Sequence, residues 1–250
     1  MLTELQYRIL KWIAPGEPTH MSGATYATKS KLTALLGNRI FENLRGLDVL
    51  DYGCGNGTEA IEIAQAGARS VLGIDIRPKV LQRAIETAAK AGPPASERCS
   101  FDTRTRGTWD AVISLDAFEH FTHPKHVLKE MFQLLRPGGR VYMSFGPIWY
   151  HPLGGHMCSV FPWAHLVFSE AALMRWRADL RSDGATRFCE TEGGLNKMTI
   201  AQFEQLVRTS EFELEDLYCA PIRNLRAIHF RFTREFTTAV VRATLLKPLV

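Results

Sequence analysis

From residue 47 to residue 145, short apolar runs alternate with stretches of helical periodicity, and this rhythm limits the possible folds more than any other feature. The apolar runs are LDVLDY (47–52), SVLGID (70–75), CSFD (99–102), WDAVIS (109–114) and RVYMSF (140–145). Helical patterns over 58–66, 78–91 and 124–135 lie between them, two of these opened by Pro78 and Pro124 at a favourable first position. Strands that are apolar throughout and separated by helices imply a parallel sheet covered on both faces, a doubly wound α/β fold.

The remainder of the chain is arranged around that core. Residues 1–45 read as an amphipathic helical cap broken at APGEP (14–18). After residue 145 the rhythm stops: residues 146–198 contain no clear strand but are rich in aromatic residues, glycine and histidine, as expected of an inserted lid. A helix over 199–210, opened by a Thr199/Gln202 capping box, and strands over 212–219 and 238–246 complete a single domain. Its expected parts are a cap (1–45), a cofactor-binding core (46–145), a lid (146–198) and a C-terminal helix with two strands (199–250).

Bulk properties narrow the function. The 30 basic and 26 acidic residues are dispersed with no polybasic run, so nucleic acid is not an expected partner. Residues 1–14 carry Glu4, Arg8 and Lys11 among their apolar residues, which argues against a signal peptide or membrane span. The five cysteines, at 54, 99, 158, 189 and 219, lack metal-ligand spacing and read as reduced thiols, so a cytoplasmic protein without a membrane partner is expected.

The loop VLDYGCGNG (49–57) places glycines where the chain must turn from strand to helix and let a ligand touch the backbone. A dinucleotide site would want glycine or alanine three residues after Gly55, where this chain has Thr58, so a nucleotide-dependent oxidoreductase is disfavoured. Asp51 beside Gly53 likewise suits a cationic group better than a pyrophosphate.

DxGCGxG, the GID at 73–75, WDAVIS followed by LDAFEHF, and LRPGG (135–139) together resemble the class I, Rossmann-like S-adenosylmethionine-dependent methyltransferases, over about residues 45–145. LRPGG and the Glu119-His120 pair particularly resemble the subgroup that modifies small molecules. The resemblance implies a seven-stranded sheet whose last strand is antiparallel, with S-adenosylmethionine as cofactor. It also implies that Gly53, Cys54 and Gly55 line the methionine portion and that Asp51 approaches its amino group. Asp75 would accept from both ribose hydroxyls, Ile76 would pack on adenine, and Asp102 would accept from the adenine amino group. Leu115 would cover the adenine or the sulfonium, and His120 would contact cofactor or substrate.

For the acceptor, residues 146–176 supply Trp149, Tyr150 and Trp163 as pocket walls, and His156 and His151 as candidate bases for a hydroxyl, with His120 of the Glu119-His120 pair as a third. O-methylation of a small molecule is the leading expectation, with nitrogen, sulfur or carbon acceptors open, and a carboxylate held by Arg223 and Arg226 as a base-free variant. A non-catalytic cofactor-binding or partner-binding protein of the same fold is the rival of another class. His120, His123 and His126 are spaced by three, but without accompanying carboxylates they suggest no metal site.

Overall fold

The computed structural model describes residues 1–16, 29–191 and 194–249. The N-terminal helices are α1 (Leu2–Ile13), α2 (Lys31–Leu36) and α3 (Ile40–Leu44), and part of the expected break at 14–18 lies outside the described residues. The core follows as β1 (Asp48–Tyr52), α4 (Thr58–Gln65), β2 (Ser70–Ile74), α5 (Pro78–Ala91), α6 (Ala95–Arg98), β3 (Cys99–Asp102), β4 (Trp109–Leu115), α7 (Pro124–Leu134) and β5 (Leu135–Phe145). Residues 146–198, the segment expected to be a lid, hold α8 (Ala164–Val167) and α9 (Glu170–Ala178), and α10 (Ile200–Arg208), β6 (Glu213–Pro221), α11 (Arg234–Thr237) and β7 (Thr238–Leu246) follow.

The seven strands form one sheet in the order β3-β2-β1-β4-β5-β7-β6. β7 runs antiparallel to both neighbours, with Phe145 opposite Val241 and Cys219 opposite Val241, while the other pairs are parallel. The winding direction reverses between β1 and β4, and the crevice outside the carboxyl ends of such strands is where ligands bind. One face of the sheet packs Leu50, Val112, Val141 and Phe145 against Leu128, Met131 and Phe203. The other packs Val49, Val71, Ala111 and Ile113 against Leu32, Leu35, Ile40 and Leu44.

The structure departs from the sequence reading at two places. LRPGG reads as a turn ahead of a strand at 140, yet β5 begins at Leu135, with Trp109 opposite Leu135 and Ala111 opposite Arg140, so the motif is a bulge inside the ladder. Arg136 in that bulge bonds Asp48 and Asp110, which Arg69 also joins, pinning the amino ends of β1 and β4. The expected single cap is divided: α2 and α3 cover the sheet, whereas α1 joins the lid, burying Leu10 among Leu173, Trp176 and Phe188.

Candidate active site

The glycine loop leaves β1 and is fastened across to β2, since the Gly53 and Cys54 amides both donate to the Ile74 carbonyl at 2.9 Å. Gly53, Gly55 and Gly57 all adopt positive φ, which side chains on L-residues resist. A β-carbon on Gly53 would strike Ala117 and one on Gly57 would strike Phe101, but one on Gly55 would meet nothing within 4 Å. Gly55 is therefore the position at which the loop backbone opens into free space. Its amide donates to Asp75 Oδ2 at 3.2 Å.

A cleft of about 680 Å³ extends from this loop, lined by Tyr52, Gly53, Asp75, Ile76, Asp116 and His120 among others. Asp75 stands in its wall, with Oδ1 accepting from the Arg77 amide (3.0 Å) and Nε (2.9 Å), and Oδ2 accepting from Arg77 Nη2 (2.9 Å). Those contacts hold its carboxyl below the usual carboxylate range against the opposing effect of burial. Ile76 is 86% exposed at the end of a strand that is otherwise buried, an apolar side chain standing open in a cleft wall.

Beneath the loop lies an acidic cluster that the sequence shows only in part. Asp51 accepts from the Ala60 amide in the first turn of α4, and its Oδ2 is buried without a hydrogen-bond partner. Burial and the nearby Glu59 carboxylate drive its pKa well above the ordinary value. Lys31, from the start of α2, lies 3.5 Å from both Glu59 and Asp116. Asp116 itself holds a positive φ at the end of β4, where its amide donates to the Ser144 carbonyl at 2.9 Å. Glu119 is buried, accepts from the Gly146 amide at 3.1 Å through Oε1, leaves Oε2 unpartnered, and has a pKa pushed up to about 8 by desolvation.

Other expected cofactor residues lie further back. Cys54 is buried with its sulfur against Gly73, and Leu115 packs in the core with Val49 and Ile113. Asp102 turns onto its own loop, accepting from the Thr103 and Arg104 amides and pairing with Arg106 at 2.9 Å, while Thr103, Arg104 and Thr105 supply the cleft wall.

A second cavity, of about 510 Å³, opens under the lid between His120, Gly155, His156, Cys158, Arg177 and Leu195 among others, and His120 lines both spaces. The ring of His120 meets that of His156 edge to face at 5.2 Å. Its Nδ1 lies 2.7 Å from the Gly194 carbonyl, which can only accept, so Nδ1 is the donor there and in the neutral ring the lone pair is on Nε2. His156 bonds the Pro147 backbone and leaves Nε2 buried without a partner. Burial and neighbouring imidazoles lower its pKa to about 3, so it is neutral. Arg177, on α9, is gripped by Asp183 at 2.5 and 2.6 Å.

The remaining lid candidates line neither space. His151 accepts from the Leu153 amide at 2.9 Å inside a turn, and Trp149 packs between His165 and Phe188. Trp163 donates to the Tyr150 carbonyl at 2.9 Å, and the Tyr150 ring stacks on Phe236 at 5.1 Å. His165 is held at both nitrogens, by Ser159 and the Trp149 carbonyl. Arg223 and Arg226 stand on an exposed segment away from both cavities. Lys31, Arg77 and Asp116 went unmarked in the sequence, because nothing in an unaligned chain shows that Lys31 meets Glu59 and Asp116 or that Arg77 grips Asp75.

The methyltransferase domain family matches this chain over residues 25–217. Among similar proteins, a ubiquinone biosynthesis O-methyltransferase of Chromobacterium violaceum is 35% identical over 106 residues, covering 41% of this chain and 45% of that protein. A 27-O-demethylrifamycin SV methyltransferase of Amycolatopsis mediterranei is 32% identical over 135 residues, covering 51% and 47%. The aligned part of the chain thus spans a little under half the length of these relatives. Among solved structures, magnesium protoporphyrin IX methyltransferase of Synechocystis with bound S-adenosylhomocysteine superposes with a TM-score of 0.53 at 20% identity, covering 82% of this chain and 76% of that one, a likeness of fold. With its seven-stranded sheet and a family match over most of its length, the chain belongs to the methyltransferase domain family, within the class I, Rossmann-like S-adenosylmethionine-dependent methyltransferases.

Proposed function

We propose that this protein methylates a hydroxyl oxygen of a small molecule held in the cavity beneath the lid, with His120 as the base. S-adenosylmethionine, when bound, supplies an electrophilic methyl carbon on a sulfonium, open to in-line displacement. The first cleft has the chemistry to hold that molecule. Gly53 and the Asp75 carboxylate in its wall suit the polar part of that molecule, exposed Ile76 suits an adenine face, and next to the cleft the open space at Gly55 suits close backbone approach. Asp75 would bond the ribose hydroxyls in exchange for part of its fork with Arg77.

One observation carries the choice of oxygen: His120 borders both spaces while its Nδ1–H is committed to Gly194, which leaves Nε2 able to receive a proton. His156 complements it. Its partnerless Nε2 can accept a hydrogen bond from the hydroxyl, but burial makes it too weak a base to keep the proton. Of the three candidate histidines, His120 is thus the proposed base, His156 the orienting group, and His151 lines neither cavity. The names of the two relatives, an O-methyltransferase and a methyltransferase of an O-demethylated compound, point the same way.

The test is kinetic. With a hydroxylated acceptor, His120→Ala should lower kcat by on the order of 10²-fold with S-adenosylhomocysteine affinity little changed, whereas His156→Ala should act mainly on the acceptor KM. Unchanged turnover in His120→Ala would refute the assignment and direct attention to acceptors that are already ionised.

A further inference from the structure

Residues 222–237 (IRNLRAIHFRFTREFT) join β6 to β7. β7 begins beside the carboxyl end of β5, where Phe145 faces Val241, so this segment stands at the same edge of the sheet as the two cavities. Its base is firmly built. The Ile222 amide donates to the Thr237 carbonyl at 2.8 Å, Glu235 accepts from the Ile200 and Ala201 amides at 3.0 and 2.8 Å, and Arg234 pairs with Glu204 at 2.6 Å. Phe236 rests on the lid through Tyr150.

Above that base the side chains face water. Phe232 is 88% exposed, Phe230 54% and Ile228 50%; Arg231 is exposed between the two rings, and Arg223 and Arg226 are exposed just before Ile228. The acid in this segment, Glu235, is already spent on the start of α10. Apolar groups held open on a rigid base mark a contact surface, and the interleaved guanidinium groups restrict what it can contact. A dry interface with a second copy would set arginine against arginine and strand their charges. A bilayer surface resolves both demands, because rings enter the acyl boundary while guanidinium groups bond lipid phosphates.

We propose that residues 222–237 dock this protein on an anionic phospholipid surface, with Ile228, Phe230 and Phe232 entering the boundary and Arg223, Arg226 and Arg231 pairing with headgroups. The contact is peripheral: among the described residues no helix is long and apolar enough to cross a membrane. It turns the open edge of the sheet, with both cavities, toward the lipid, so an acceptor dissolved in the bilayer would have a short path to the lid. This differs from the expectation of no membrane partner, which considered spans and polybasic runs and not aromatic residues alternating with arginine.

The full chain should co-sediment with phosphatidylcholine vesicles containing about 30% phosphatidylglycerol, and about 10-fold less with phosphatidylcholine alone. Phe230→Ser/Phe232→Ser should lower partitioning by about 10-fold or more, and Arg226→Glu/Arg231→Glu should remove the preference for anionic vesicles. An unchanged melting curve and S-adenosylhomocysteine affinity would show that both variants are folded. Failure of the parent to bind anionic vesicles, or equal binding by folded variants, would overturn the proposal. So would a parent dimer in sedimentation equilibrium that the Phe variant dissociates, since the surface would then join two copies.

Discussion

Asp75 and Glu119 are both shielded acids beside the same loop, and their partners give them opposite electrostatic fates. Asp75 is bonded by Arg77 and the Gly55 amide and stays ionised, so Asp75→Ala should weaken S-adenosylhomocysteine binding by about 1–3 kcal/mol in calorimetry while the protein stays folded. Undiminished affinity in a folded variant would detach Asp75 from the ribose. Glu119 has a folded pKa near 8 against an ordinary 4.5, so the folded state binds the extra proton between those values, and its contribution is complete below about 4.5 and lost as pH rises through 8. Denaturant titrations should therefore show the parent losing stability between about pH 4.5 and pH 8 and Glu119→Gln losing less. Identical slopes would mean that Glu119 ionises freely. His156 has the opposite sign, with a folded pKa near 3 below the ordinary 6.5, so its stabilisation is present above 6.5 and lost as pH falls toward 3. Asp75 was legible because a strand-end acid after a glycine loop has a recognisable place. The burial of Glu119 and the pairing of Lys31 with Glu59 and Asp116 were not, since both are properties of the tertiary fold.

At the scale of elements, apolar runs located β1, β2 and β4 closely because a sheet covered on both faces needs side chains that are apolar on both sides, whereas β6 at the sheet edge is largely exposed. LRPGG was recognisable as a motif but not as part of a strand. Its conformation is dictated by Gly139, where a β-carbon would stand 2.9 Å from the Arg136 carbonyl, the Asp110 carbonyl and Leu135 Cδ2 alike. Two of those atoms are backbone and cannot swing aside. Gly139→Ala should thus cost about 1–3 kcal/mol in denaturant unfolding, while S-adenosylhomocysteine affinity of the folded fraction stays near parental, because the bulge lies at the amino ends of the strands. A Gly139→Ala variant as stable as the parent would show that the bulge can relax. The lid was legible only as a break in rhythm. Its aromatic residues looked like pocket walls, but Trp149 and Trp163 are spent on packing and backbone bonds, and the cavity is lined instead by glycine, histidine and α9.

Across the whole molecule, the lid is completed by the opposite end of the chain. Leu10 is fully buried beside Leu173, Trp176 and Phe188, the Trp176 indole donates to the Ala14 carbonyl at 2.7 Å, and Tyr7 donates to Asp179 at 2.8 Å. Periodicity made α1 amphipathic but could not name the surface that buries its face, since the partner lies more than a hundred residues away in sequence. The apolar cluster at this junction is separate from the two that flank the sheet, so it can loosen without disturbing the cleft beside the glycine loop. Leu10→Ala removes a buried side chain there and should cost about 2–4 kcal/mol locally. Amide exchange should accelerate across α9 and residues 156–158 while β1 and β4 keep their protection. Because His156 is carried on the loosened part, the acceptor KM should rise while S-adenosylhomocysteine affinity holds. Uniformly faster exchange, reaching β1 and β4 as well, would show instead that lid and sheet unfold as one cooperative unit and that α1 stabilises the whole domain.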